Sequence, residues 1–121
     1  MPHVAGVEHH YATVNGVRLH YAEAGSGEPV LLQHGWPQHW WMWRDLIGPV
    51  AERFRVIVPD LRGHGWSEKP AGDYRKDALM RDTIALLDHL GIERVRYVGH
   101  DWGAYVGMLA ALRHPERIER L

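Results

Sequence analysis

The chain has 121 residues, 45% hydrophobic and 24% charged, with a net charge of -1. That profile suits one globular domain at most, argues against nucleic acid as a partner, and contains no apolar run near the about 18 residues of a membrane span. There is no cysteine, hence no disulfide framework and no thiolate chemistry, and Met1-Pro2-His3-Val4 lacks the charged-then-apolar layout of a secretory signal. A cytoplasmic setting is therefore expected.

Tyr11–Val14 and Val17–Tyr21 flank Asn15-Gly16, the strongest short hairpin signal, and their alternation predicts a half-exposed antiparallel pair. Pro29–His34 is a near-continuous apolar run, as expected of a strand covered on both faces. The loop His34-Gly35-Trp36-Pro37-Gln38 follows, and a tryptophan-rich pattern from His39 to Ile47 predicts a helix with Trp40 and Trp43 in the core. Trp36, held between glycine and proline, is harder to read as core. Phe54–Val58 predicts the next strand, and Asp60–Pro70 is a loop rich in turn formers. A helix is expected from about Arg75 to Leu90, stopped by Gly91. Arg94–His100 reads as a strand and Trp102 to about Arg113 as a helix, with another strand due at Ile118–Leu121.

A hairpin followed by three strand–helix units predicts an α/β fold: a mostly parallel sheet with an antiparallel N-terminal hairpin. Right-handed crossovers place the loops after the parallel strands on one sheet edge. His34–Pro37 and His100–Trp102 would then meet, and that convergence marks the candidate site. Gly99 and Gly103 bracket Asp101 in a G-x-D-x-G arrangement, the carboxylate version of the nucleophile elbow. So sharp a strand-to-helix turn leaves no room for side chains two positions to either side. Two readings of Asp101 stand at this point: a covalent nucleophile, or a cap on the following helix. Of the ten histidines, His9 and His10 fall on opposite faces of a strand and no helical H-x-x-x-H pair occurs. Neither a metal nor a cofactor is expected, and histidines other than His34 and His100 are expected at the surface.

Three motifs occur in order: H-G-x-P at His34–Pro37, D-L-R-G-x-G-x-S at Asp60–Ser67 and G-H-D-W-G at Gly99–Gly103. With them the chain resembles the N-terminal half of an α/β-hydrolase, in the epoxide hydrolase and haloalkane dehalogenase branch, from about Tyr11 to Leu121. The resemblance implies that Asp101 attacks an sp3 carbon and forms an alkyl ester. It implies an oxyanion hole made by the backbone N–H groups of Trp36 and Trp102, and substrate contacts from Trp36, Trp102, His34, Pro37 and His100. The substrate would be a small apolar epoxide or haloalkane. The Asp-Trp pair occurs in both families, but dehalogenases often carry a halide-binding Asn where Trp36 stands, which favours epoxide opening to a diol. The Asp60–Pro70 loop is expected to be structural, with no role assigned to His64.

In this fold the acid and the histidine base follow the nucleophile. The one later histidine, His114, lies thirteen positions on, about 20 Å along a helix. Residues 1–121 are therefore expected to form the N-terminal part of one core domain, inactive alone and needing a complementary C-terminal half. That half would be a separate chain or a remainder outside this sequence. The nucleophile-bearing strand is expected to be an unpaired apolar edge. A haloalkane dehalogenase half and a non-catalytic binding or assembly module are the other readings.

Overall fold

A computed structural model describes residues 1–121. Strands β1 (Glu8–Val14) and β2 (Val17–Ala24) form the hairpin, with Asn15 and Gly16 both at positive φ in the two-residue turn. They are followed by β3 (Pro29–Gln33), a 3-10 turn at Trp40–Trp43, α1 (Arg44–Ala51) and β4 (Arg55–Pro59). Next come α2 (Lys76–His89), β5 (Val95–Gly99), α3 (Trp102–Arg113) and β6 (Ile118–Arg120). One six-stranded sheet runs in the order β1-β2-β4-β3-β5-β6, parallel from β4 to β6 and antiparallel through β2. No helix is long and apolar enough to cross a membrane.

The alternation of side chains along the strands divides the core in two. Leu31, Ile57 and Tyr97 face one way and pack with Leu79, Leu86, Leu87 and Val106 of α2 and α3. Val30, Leu32, Val56 and Val58 face the other way, onto Trp40, Trp43 and Ile47. The two tryptophans are buried as expected, although the segment opens as a 3-10 turn and becomes α-helical only from Arg44.

Three expectations are corrected. β2 is not half exposed: six of its eight residues are buried, because β4 pairs along its inner edge. Nor is β5 a bare edge, since Val95 and Arg96 pair with β6. Only the stretch Tyr97–Gly99 has no strand beyond it, next to the exposed apolar side chains of Val98, Met108 and Leu121. Finally, His20 and His64 are buried.

His20 belongs to a polar knot that ties the Asp60–Pro70 loop to the hairpin. The buried Asp60 carboxylate accepts Trp40 N–H at 2.7 Å, Trp66 N–H at 2.9 Å and His20 Nδ1 at 2.8 Å. The Ser67 hydroxyl donates to Asp60 C=O at 2.7 Å and accepts His20 N–H at 2.9 Å. Arg62 makes a bidentate pair with Asp82 at 2.6 and 2.7 Å, and Asn15 Nδ2 donates to the same carboxylate at 2.9 Å.

Candidate active site

β3 and β5 are hydrogen-bonded neighbours with Gln33 opposite Gly99, so the chain leaves both strands at one level. His34–Gln38 leaves β3 there, and His100-Asp101 turns from β5 into α3. Two missing side chains make the approach possible. A Cβ on Gly103 would overlap the backbone carbonyl oxygens of Gln33 and His34, and one on Gly99 would press into the Gly103 carbonyl at 2.7 Å. Below the turn, the buried Tyr97 hydroxyl donates to Gly103 C=O at 2.7 Å. Burial drives its ionisation far above the ordinary range, so it stays a neutral donor. Gly103→Ala is expected to destabilise the fold by about 3 kcal/mol, the upper end of overpacking costs, because both obstructing atoms are backbone. Urea unfolding measures this, and a loss below about 1 kcal/mol would contradict the packing described.

Asp101 stands on this turn at φ 57° and ψ -121°. A non-glycine residue held there stores about 1–3 kcal/mol of strain, retained only where the surroundings fix it. Its carboxylate makes no capping bond to α3. The N–H groups of Gly103 and Ala104 are taken by the carbonyls of His100 (2.9 Å) and Asp101 (3.0 Å). The capping reading therefore fails. The carboxylate instead accepts the Trp36 N–H at 3.0 Å. The backbone N–H groups of Trp102 and Trp36 hold the Asp101 carboxyl below its ordinary pKa, with smaller contributions from His100 and Lys76.

The Gly35–Trp36 peptide that supplies one of these donors is held on all sides. Gly35 C=O accepts Gln38 N–H at 2.8 Å, and Gly35 N–H donates to Gln38 Oε1 at 3.1 Å. The Trp36–Pro37 bond is cis. His34 Nδ1 lies 2.8 Å from Gly35 C=O, and His34 Nε2 accepts Leu61 N–H at 2.9 Å. Both ring nitrogens are thus engaged and the side chain is fully buried. His34 presents no atom to solvent, so its expected place among the substrate contacts is corrected.

Burial lowers the His34 pKa from 6.5 to about 4, against the opposing pull of the Gly35 carbonyl and Asp60. The unfolded chain takes up this proton near pH 6.5, whereas the folded chain refuses it until about pH 4. More protons are therefore bound by the unfolded state between those values, and stability falls as pH drops through that window. The difference amounts to about 3 kcal/mol. Urea unfolding followed from pH 7 to pH 4 should show the loss, and His34→Asn should remove this part of it.

The other expected contacts surround an open cleft. Trp36, 59% exposed, and Trp102 lie with ring centroids 6.1 Å apart. With Pro37 and Gln38 they line about 420 Å³ of space. His100 sits at the rim, its Nδ1 3.3 Å from Gln38 Oε1. His64, Tyr74 and Lys76 were missed by sequence reasoning. His64 packs edge-on against Trp102 at 5.7 Å, Tyr74 closes the cleft from the α2 side, and Lys76 Nζ stands 3.6 Å over the Trp102 ring. No local signal marks them, since each is brought in by the packing of α2 and the Asp60 loop. No cluster of three or more His, Cys, Asp or Glu side chains able to hold a metal occurs.

A strained acidic elbow at the C-terminal edge of a parallel sheet, facing an N–H from the neighbouring strand's loop, defines a hydrolase fold. A family model for the alpha/beta hydrolase fold matches residues 28–121, and the chain belongs to that family. Among its relatives is the soluble epoxide hydrolase of Corynebacterium sp. (strain C12), 48% identical over 115 residues. That match covers 95% of this chain and 40% of the relative. Epoxide hydrolase 3 of Siraitia grosvenorii is 42% identical over 118 residues, 95% of this chain and 37% of that protein. The crystal structure of epoxide hydrolase VrEH1 from Vigna radiata superposes with a TM-score of 0.93 at 40% identity, covering 98% of this chain and 38% of that one. The chain thus spans about two-fifths of the length of the relatives it matches.

Proposed function

We propose that this chain carries the nucleophile of an epoxide hydrolase. The observation that carries the reading is Asp101: an ionised carboxylate on a strained turn, with no capping bond, held by the N–H groups of two tryptophans that line an aromatic cleft. An Asp101 oxygen attacks a ring carbon, the C–O bond of the epoxide breaks, and the ring oxygen takes a proton from an acid. The product is an alkyl ester on Asp101. Water, deprotonated by a base, then attacks the ester carbonyl. The negative charge moves to the Asp101 oxygen facing the Trp36 and Trp102 N–H groups, and the tetrahedral species collapses to release the diol. Trp36, Pro37 and Trp102 supply apolar walls for the substrate, with His100 at the rim.

The base, the ring-opening acid and a cap are assigned to a complementary C-terminal half, with residues 1–121 as the N-terminal part of the core domain. Two observations support this. The matched relatives are more than twice as long, and Tyr97–Gly99 of β5 leaves an apolar strip beside Met108 and Leu121. No nearby histidine suits the base: His34 is buried, His64 is buried with Nδ1 at Arg62 C=O, and His100 Nδ1 faces Gln38. The epoxide reading is preferred to the halide one because the named relatives are epoxide hydrolases. Product analysis decides it. The chain joined to its complementary half should convert an alkyl epoxide to a diol; halide release from a bromoalkane without diol formation would move the assignment to a dehalogenase. Binding of either compound without turnover would leave a binding module.

A further inference from the structure

The Gly35–Trp36 peptide is one rigid group with two ends. Its N–H faces the Asp101 carboxylate at 3.0 Å, and its C=O receives His34 Nδ1 at 2.8 Å. We propose that His34 is a positioning residue for the oxyanion hole: by donating to Gly35 C=O it orients and polarises the loop peptide whose N–H meets Asp101. This rests on the reading of Asp101 as the nucleophile.

The proton's location follows from the bonding. Leu61 N–H donates to Nε2 at 2.9 Å, which leaves that nitrogen as an acceptor. Nδ1 must then carry the hydrogen of the neutral ring, and the only acceptor before it is Gly35 C=O. A donor on the carbonyl draws electron density through the amide and makes its N–H a stronger donor, the cooperativity of hydrogen-bonded chains. The ring cannot turn away, because it is fully buried, with His64 packed 5.2 Å from it. Gln38 N–H also meets Gly35 C=O, at 2.8 Å, and acts along the same direction. Leu61 thus fixes the tautomer, the tautomer fixes the peptide, and the peptide presents its N–H to Asp101.

Two substitutions separate this role from mere anchoring of the Asp60 loop. In His34→Asn the side-chain amide takes the place of Nδ1, keeping a donor for Gly35 C=O and dropping the Leu61 acceptor. In His34→Gln the side-chain oxygen takes the place of Nε2, keeping Leu61 and dropping the Gly35 donor. The chain joined to its complementary half is followed through the Trp36 amide resonance, the Asp101 carboxyl titration and steady-state kinetics. His34→Gln is expected to move the Trp36 amide upfield, raise the Asp101 pKa and lower kcat about tenfold with KM little changed, a fraction of the loss on deleting an oxyanion donor. His34→Asn should retain the Trp36 and Asp101 signals and lose less in kcat. The reverse pattern, with Asn perturbing them and Gln not, would overturn the proposal. Should neither variant fold, the ring nitrogens of the unmodified protein still decide: a protonated Nδ1 supports the assignment, and a protonated Nε2 overturns it. None of the resonance readouts needs turnover. An inactive protein with the expected pattern would therefore support the role of His34 while counting against Asp101 as nucleophile.

Discussion

Asp101→Ala should reduce turnover of the completed hydrolase by about 10⁴-fold or more, as deletion of a covalent nucleophile does, while the protein still folds. The carboxylate is exposed and packs against nothing that would collapse without it. Its one close partner in the neighbouring loop is the Trp36 N–H, which water can satisfy. Because the side chain makes no capping bond to α3, its loss should not carry the about 1 kcal/mol cost of removing a helix cap. Activity and stability are thus expected to separate. A variant that kept its turnover but melted early would return Asp101 to a structural role. Asp101→Asn is a weaker test, since slow deamidation restores the nucleophile.

Asp60 should show the opposite separation: a large loss of stability at a residue that touches no substrate. Its carboxylate is fully buried and accepts from Trp40 N–H, Trp66 N–H and the His20 ring. Replacing it with alanine strands these donors away from water, at a cost of about 3–5 kcal/mol, the range for breaking a buried charged partnership. Asparagine should recover little, because its NH2 would face another donor. That loss is a large share of the stability available to a single domain. Equilibrium denaturation of Asp60→Ala measures it, and a change under about 1 kcal/mol would mean the knot is dispensable.

The sheet and the meeting of its loops were legible for a geometric reason. Apolar runs and the Asn15-Gly16 turn report strand faces and reversals locally, and right-handed crossovers bring Gly35 and Asp101 to one edge. Partners chosen by tertiary packing were not legible. β2 alternates in sequence like an exposed strand, and only its pairing with β4 reveals that it is interior. His20 looks like a surface residue until Asp60, forty residues on, closes over it. His34 stands in the same motif as Trp36, so the motif alone gives both the look of substrate contacts. Its place beneath the loop depends on Leu61, twenty-seven residues away, which no local pattern reports. Tyr74 reaches the cleft, and Lys76 the Trp102 ring, only because α2 packs beside α3 and the Asp60 loop folds against Trp102.

The central claim is that Asp101 becomes an ester whose own carbonyl is attacked by water. A few turnovers of an epoxide by the completed hydrolase in ¹⁸O-labelled water, followed by proteolysis and mass spectrometry of the segment Tyr97–Arg113, test it directly. The mechanism returns the attacking water's oxygen to the carboxylate, so heavy oxygen should appear in Asp101 and the first diol released should carry an unlabelled oxygen from the protein. Label found in the first diol with none in Asp101 would mean that water attacks the epoxide itself, and Asp101 would not be the nucleophile.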